Sequence, residues 1–177
     1  MGLPKAYQDL AKEGAPKMLV EMLKLYGTLE VPGTKDNPVI MSWAKETKIK
    51  GYTHDSVPWC GLTMAVVAQR AGYQYPAGPL WALNWKNFGR SVPLNGAMLG
   101  DVLVFNREGG GHVSMYVGED KYYYHILGGN QSDSVNIIRK AKSSCVAVRR
   151  PVFKIGQPKN VRKIYRAATG AISSKET

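Results

Sequence analysis

GDVLVFNREGGGHVSMYVGEDKYYYHILGGNQ, residues 100–131, is the stretch on which the fold turns. Runs of β-branched and aromatic residues at 101–105, 112–118 and 122–127 are separated by turns bearing Gly and Asp, which is how short strands are written. Residues 135–138 and 145–149 continue the pattern. Upstream the period changes. Met18, Leu19, Met22, Leu23 and Tyr26 recur at helical spacing between Pro16 and Gly27. Asn37 and Pro38 suit the cap and first position of a second helix, with Val39, Ile40, Trp43 and Ala44 on its inner face. Residues 60–70 read as a buried helix closed by Gly72, and residues 80–88 as a short helix or packed loop. Helices first and an antiparallel sheet afterwards predict an α+β domain.

At 177 residues the chain suffices for one domain with a sizeable core, and its longest apolar run is far short of the roughly 20 residues of a membrane-spanning helix. The opening MGLPKAYQDLAKEGAPK has no continuous apolar stretch, so no secretory signal peptide is expected. Ala6 stands where a myristoylation motif wants Ser or Thr. Two cysteines do not make a disulfide framework, and Cys145, in an alternating stretch, reads as a small buried hydrophobe. The formal charge of +11 implies attraction to polyanions: nucleic acid, anionic lipid or an acidic wall polymer.

Cys60 falls in the first turn of its helix, where unsatisfied N–H groups and the helix dipole favour a thiolate; a buried structural Cys fits the same position. His112 opens a strand directly after three glycines, which suits an acid–base group facing a cleft, though a satisfied core His would also do. Together, a Cys early on a helix and a His later on a sheet point to nucleophilic catalysis. A third polar group would orient the imidazole. If the hairpin turns around Glu119 and Asp120, residues near Leu127 and Gly128 pair with His112, and Asn130 is within reach; His125 is the rival. Asp55 and Tyr52 read as substrate contacts, or Asp55 or Ser56 as the helix cap. Trp59, Trp81 and Trp85 line a groove or pack the core. The His and Cys residues lack metal-ligand spacing, so neither metal nor cofactor is expected.

With these residues in place, the chain resembles the phage-type branch of the NlpC/P60 and CHAP peptidoglycan hydrolases. The likeness rests on VPG (31–33) with Asn37-Pro38, DSVPWCG (55–61), GDVLVF (100–105), GHVSMYVG (111–118), LGGNQS (127–132) and Arg149-Arg150-Pro151. It implies a papain-like fold over residues 1–151, with Cys60 as nucleophile, His112 as base and Asn130 as the orienting residue. His125, thirteen positions after His112, is the arrangement often found in NlpC/P60 proteins. It further implies a monomeric endolysin, made in a host cytoplasm and acting at the wall after release, that cuts a stem-peptide amide. A secretion-system amidase effector has the same chemistry. From another class, a polyanion- or wall-binding module would keep the fold and dispense with Cys60. No specific nucleic-acid partner is expected. Residues 152–177 lie beyond the resemblance and hold six basic residues against Glu176. Asn160 can cap a short amphipathic helix there, which would make the tail an anchor on an anionic membrane surface.

Overall fold

The computed structural model describes residues 2–172; Lys175 and Glu176 of the tail lie outside the described residues. The architecture is mixed α+β. Three α-helices, α1 (Lys17–Lys24), α2 (Pro38–Thr47) and α3 (Cys60–Arg70), precede strands β2 (Val102–Arg107), β3 (Gly110–Glu119), β4 (Tyr123–Gly128), β5 (Asn136–Ala141) and β6 (Cys145–Arg150). A short strand, β1 (Arg90–Val92), had no clear signal because only three residues pair; it lies at the edge against β6. All pairings are antiparallel and the order is β1-β6-β2-β3-β4-β5. Residues 80–88 contain a 3-10 helix, Ala82–Asn87.

Local chemistry explains the helix ends. Asn37 caps α2 by accepting a 2.7 Å bond from the Val39 amide, with Pro38 at the first turn where its missing N–H costs nothing. α3 is apolar all round, and every residue from Cys60 to Ala68 is buried. Such a helix is stable only inside a core. It packs on one face of the sheet, against Val104, Val113, Met115 and Leu127.

The opposite face carries a second cluster, including Phe105, Tyr116, Tyr124 and Ile138. Among the described residues no α-helix covers it. The Tyr124 hydroxyl on β4 instead donates to the Leu94 carbonyl in the short 3-10 turn Leu94–Gly96, between β1 and β2. Asp101 and Arg150 lock β2 to β6 through a buried bidentate pair of 2.8 and 2.7 Å, which accounts for the Gly-Asp and Arg-Arg-Pro sequences lying where they do.

The expected helix in the tail is not formed. Residues 161–172 run extended along the body. The Leu99 amide donates to the Arg162 carbonyl, and Glu119 exchanges backbone bonds with Ile164 and Arg166. Val161 is buried. The side chains expected on one polar helix face are spent on the body instead: Arg162 pairs with Glu13, Lys163 with Glu119 and Arg166 with Asp9. Free backbone edges on the sheet outcompete a short helix that would have to nucleate alone. Among the described residues, no helix is long and apolar enough to cross a membrane.

Candidate active site

α3 begins at Cys60, after Pro58 and with Trp59 in the cap position at φ −118°. No side chain caps it: neither Asp55 nor Ser56 takes that place. The first-turn N–H groups are therefore not consumed by a capping oxygen, which leaves donors and the positive end of the helix at the thiol. Cys60 is buried, and burial pushes its thiol up. A hydrogen bond and the charge of His112 outweigh that, helped by the Val113 amide and the Arg107 guanidinium, and hold it below the ordinary thiol value. Cys145 is the contrast. Burial drives its thiol up to about 11 against backbone hydrogen bonds at Ala147 and Val104, the Ala147 carbonyl lying 3.5 Å from the sulfur. Both cysteines are free.

His112 lies opposite Phe105 in the β2–β3 ladder. Of the glycines before it, Gly111 serves packing: a Cβ there would sit 2.6 Å from Leu83 Cδ2 and 3.1 Å from the Phe105 carbonyl oxygen, whereas Gly109 has open space around it. The imidazole's partner is Gln131, not Asn130. His112 Nε2 is 3.0 Å from Gln131 Oε1. The reason is register. The hairpin closes with Glu119 opposite Tyr124, later than a turn around Glu119 and Asp120 would give, so Leu127 falls opposite Met115 and β4 ends at Gly128 before it reaches His112. The chain must then loop back. Asn130 has φ 55°, in the left-handed region, and this reversal turns the next side chain toward the ring.

The orientation of the Gln131 amide follows from its surroundings. Its nitrogen faces the Asn136 carbonyl at 2.8 Å and Asn136 Oδ1 at 3.0 Å, both acceptors. Asn136 Oδ1 is identified in turn because its Nδ2 donates to the Gln131 carbonyl at 2.9 Å and to Ser134 Oγ at 2.8 Å. Gln131 Oε1 must then point at His112, so Nε2 of the imidazole carries a proton. In the neutral ring, Nδ1 is left as the base for the thiol. Ser132 and Asp133 are also left-handed, at φ 48° and 57°. This strained loop is clamped by backbone bonds from Glu30 to Asp133 and from Gly27 to Val135.

His125 lies elsewhere. Its ring nitrogens meet the Tyr7 hydroxyl at 2.7 Å and Asp120 Oδ2 at 3.1 Å, and burial lowers its pKa. The expected substrate contacts are also placed otherwise. Asp55 is buried and accepts from the Val31 and Asn37 amides at 3.0 and 2.7 Å, stapling the 31–37 loop. Tyr52 is buried and donates to the Val57 carbonyl. Trp59 is a core residue, tilted against Trp43, with its indole N–H on Glu30 Oε2 at 2.9 Å. Trp85 is buried as well. Trp81 is 54% exposed and lies beside Gly110, two residues from His112. Gln131 and Asn136 went unread, although Gln131 stood inside the LGGNQS motif. Among the described residues, no group of three or more His, Cys, Asp or Glu side chains could hold a metal ion. Compared with models of known families and with curated proteins, the chain matches none.

Proposed function

We propose that this chain is a papain-like cysteine amidohydrolase of the endolysin kind, cutting an amide bond of the peptidoglycan stem peptide. The observation that carries the proposal is the continuous link from the Cys60 thiol through His112 to Gln131, set at the uncapped N-terminus of a buried helix. A structural thiol has no use for such an arrangement, and Cys145 in the same molecule is raised rather than lowered. The choice of peptidoglycan rests on the six sequence motifs and on the basic charge.

In the first step the Cys60 thiol gives its proton to His112 Nδ1, and the thiolate attacks the amide carbonyl, forming a C–S bond. The N–H groups at the start of α3 receive the oxyanion. His112 returns the proton to the leaving nitrogen as the C–N bond breaks, leaving a thioester. Water, giving its proton to His112, then forms the C–O bond as the C–S bond breaks; the thiol recovers that proton and the new carboxyl group leaves. Gln131 Oε1 keeps the ring in register throughout and accepts from the imidazolium.

The test is digestion of purified sacculi, with mass spectrometry of the released muropeptides. Wild-type protein should release fragments with one new amine and one new carboxyl terminus. Cys60→Ser should abolish release while Cys145→Ser stays within a few-fold of wild type. Release by Cys60→Ser at the wild-type rate would overturn the assignment.

A further inference from the structure

The C-terminal end of α3 and the N-terminal end of α1 meet under the loop of residues 152–158, enclosing a cavity of about 350 Å³. Its walls are apolar, with Ala71, Tyr73, Phe153 and Pro158 among them. Ile155 is fully exposed at the tip of this loop, and Val152 is largely exposed beside it. Lys17 and Lys154 stand at the rim, and Lys159 follows directly. None of the three lysines is in an ion pair among the described residues. The carboxylates nearest Lys17 in sequence are already taken, Glu13 by Arg162 and Asn160 and Glu21 by Lys24.

We infer that this face docks on an anionic lipid surface, with Ile155 entering the interface and Lys17, Lys154 and Lys159 meeting the headgroups. Three observations favour a bilayer over a soluble polyanion. An anionic polymer in water has no use for an isoleucine presented bare, whereas a lipid interface takes up exactly one apolar tip among cations. Half-buried Tyr73 offers an aromatic ring at headgroup depth. The third is orientation. The face lies at the opposite end of α3 from Cys60, about 15 Å away at 1.5 Å per residue over its length. Docking there leaves the thiol pointing away from the lipid. The surface is independent of whatever chemistry Cys60 performs, and within the tail it takes the place of the expected amphipathic helix.

The full chain is sedimented with vesicles of phosphatidylglycerol and phosphatidylcholine, and with vesicles of phosphatidylcholine alone, at low and physiological salt. Binding should require phosphatidylglycerol and weaken with salt. Lys154→Gln with Lys159→Gln should weaken it about 30-fold, from roughly 1 kcal/mol for each cation. Ile155→Ser should weaken it about 10-fold with the charge unchanged. Lys35→Gln with Lys121→Gln removes the same charge from the loop stapled by Asp55 and from the β3–β4 turn, away from this face, and should stay within two-fold. All these side chains are exposed, so melting temperatures should not move. Equal loss for both lysine pairs would mean that net charge alone binds, and would overturn the proposal. So would indifference to Ile155→Ser, equal binding to the neutral vesicles, or no binding to either.

Discussion

At the scale of single residues, the protonation of His112 is settled two hydrogen bonds away from it. Asn136 turns the Gln131 amide so that its oxygen faces the ring, and the ring must answer with a donor. Removing either amide loosens the tautomer and therefore the thiolate it supports. This can be read without any substrate, from the pH dependence of Cys60 alkylation by iodoacetamide in a Cys145→Ser background. Wild-type protein should react with a midpoint below the ordinary thiol value near 8.5. Gln131→Ala and Asn136→Ala should both move the midpoint upward, while Asn130→Gly, which keeps the left-handed turn and removes only the side chain, leaves it in place. In sacculus digestion, Gln131→Ala should lose about 10- to 1000-fold in kcat, the usual range for one positioned polar group. A shift for Asn130→Gly but not for Gln131→Ala would return the orienting role to the sequence-based choice. Cys60 and His112 were legible because each stands beside a local signal, a helix start and a glycine run. The third residue was not. Its identity depends on where the hairpin closes and on a left-handed turn, and neither leaves a mark on the hydrophobic pattern.

Elements explain what residues alone do not. The helices and the five longer strands could be read from periodicity, since each buries a face. The short edge strand β1 could not, because only three of its residues pair. The loop from Gly128 to Asn136 is where these elements meet. Gly129 passes so close to α3 that a Cβ there would lie 2.0 Å from Thr63 Oγ1 and 2.8 Å from Trp59 Cζ3. Thr63 cannot retreat easily, for its hydroxyl donates to the Trp59 carbonyl at 2.9 Å. Gly129→Ala should therefore push the loop off the helix, costing about 1–3 kcal/mol and raising the alkylation midpoint of Cys60 together. Gly14→Ala, with open space around the site, is the control. Adding Thr63→Ala to Gly129→Ala should recover part of the loss, since neighbours in contact do not add. Urea unfolding midpoints and the alkylation profile measure the two effects. A destabilised variant with an unmoved thiol would mean that the loop's position is not what holds Gln131 on the ring.

Across the whole molecule, the chain's two ends are tied to the sheet through one polar cluster. Tyr7 from the N-terminal 3-10 helix and Arg166 from the tail stack, with the guanidinium 4.9 Å from the ring centroid. Tyr7 bonds His125 on β4, His125 bonds Asp120, and Asp120 pairs with Arg139 on β5. His125 is the titrating member nearest neutrality. Burial, set against the hydrogen bond and charge of Asp120 and reinforced by Arg139 and Arg166, leaves its pKa below the ordinary 6.5. In the unfolded chain that restraint is gone. Between the lowered folded value and about 6.5 the unfolded state holds more protons, so stability rises with pH across that window. The contribution is complete above about pH 6.5 and fades as pH falls toward the folded value. Asp120 adds a second window. Its carboxyl is held at about 2, against burial, by the Tyr122 and Tyr123 amides, His125 and Arg139. Its contribution is present above about pH 4 and fails as pH falls toward 2. Urea midpoints of the wild type should fall as pH drops below about 6.5, and fall again below 4. His125→Gln, which cannot take up the proton, should flatten the first fall and keep the second. The same slope in both proteins just below pH 6.5 would show that the cluster binds the ends of the chain without sensing protons.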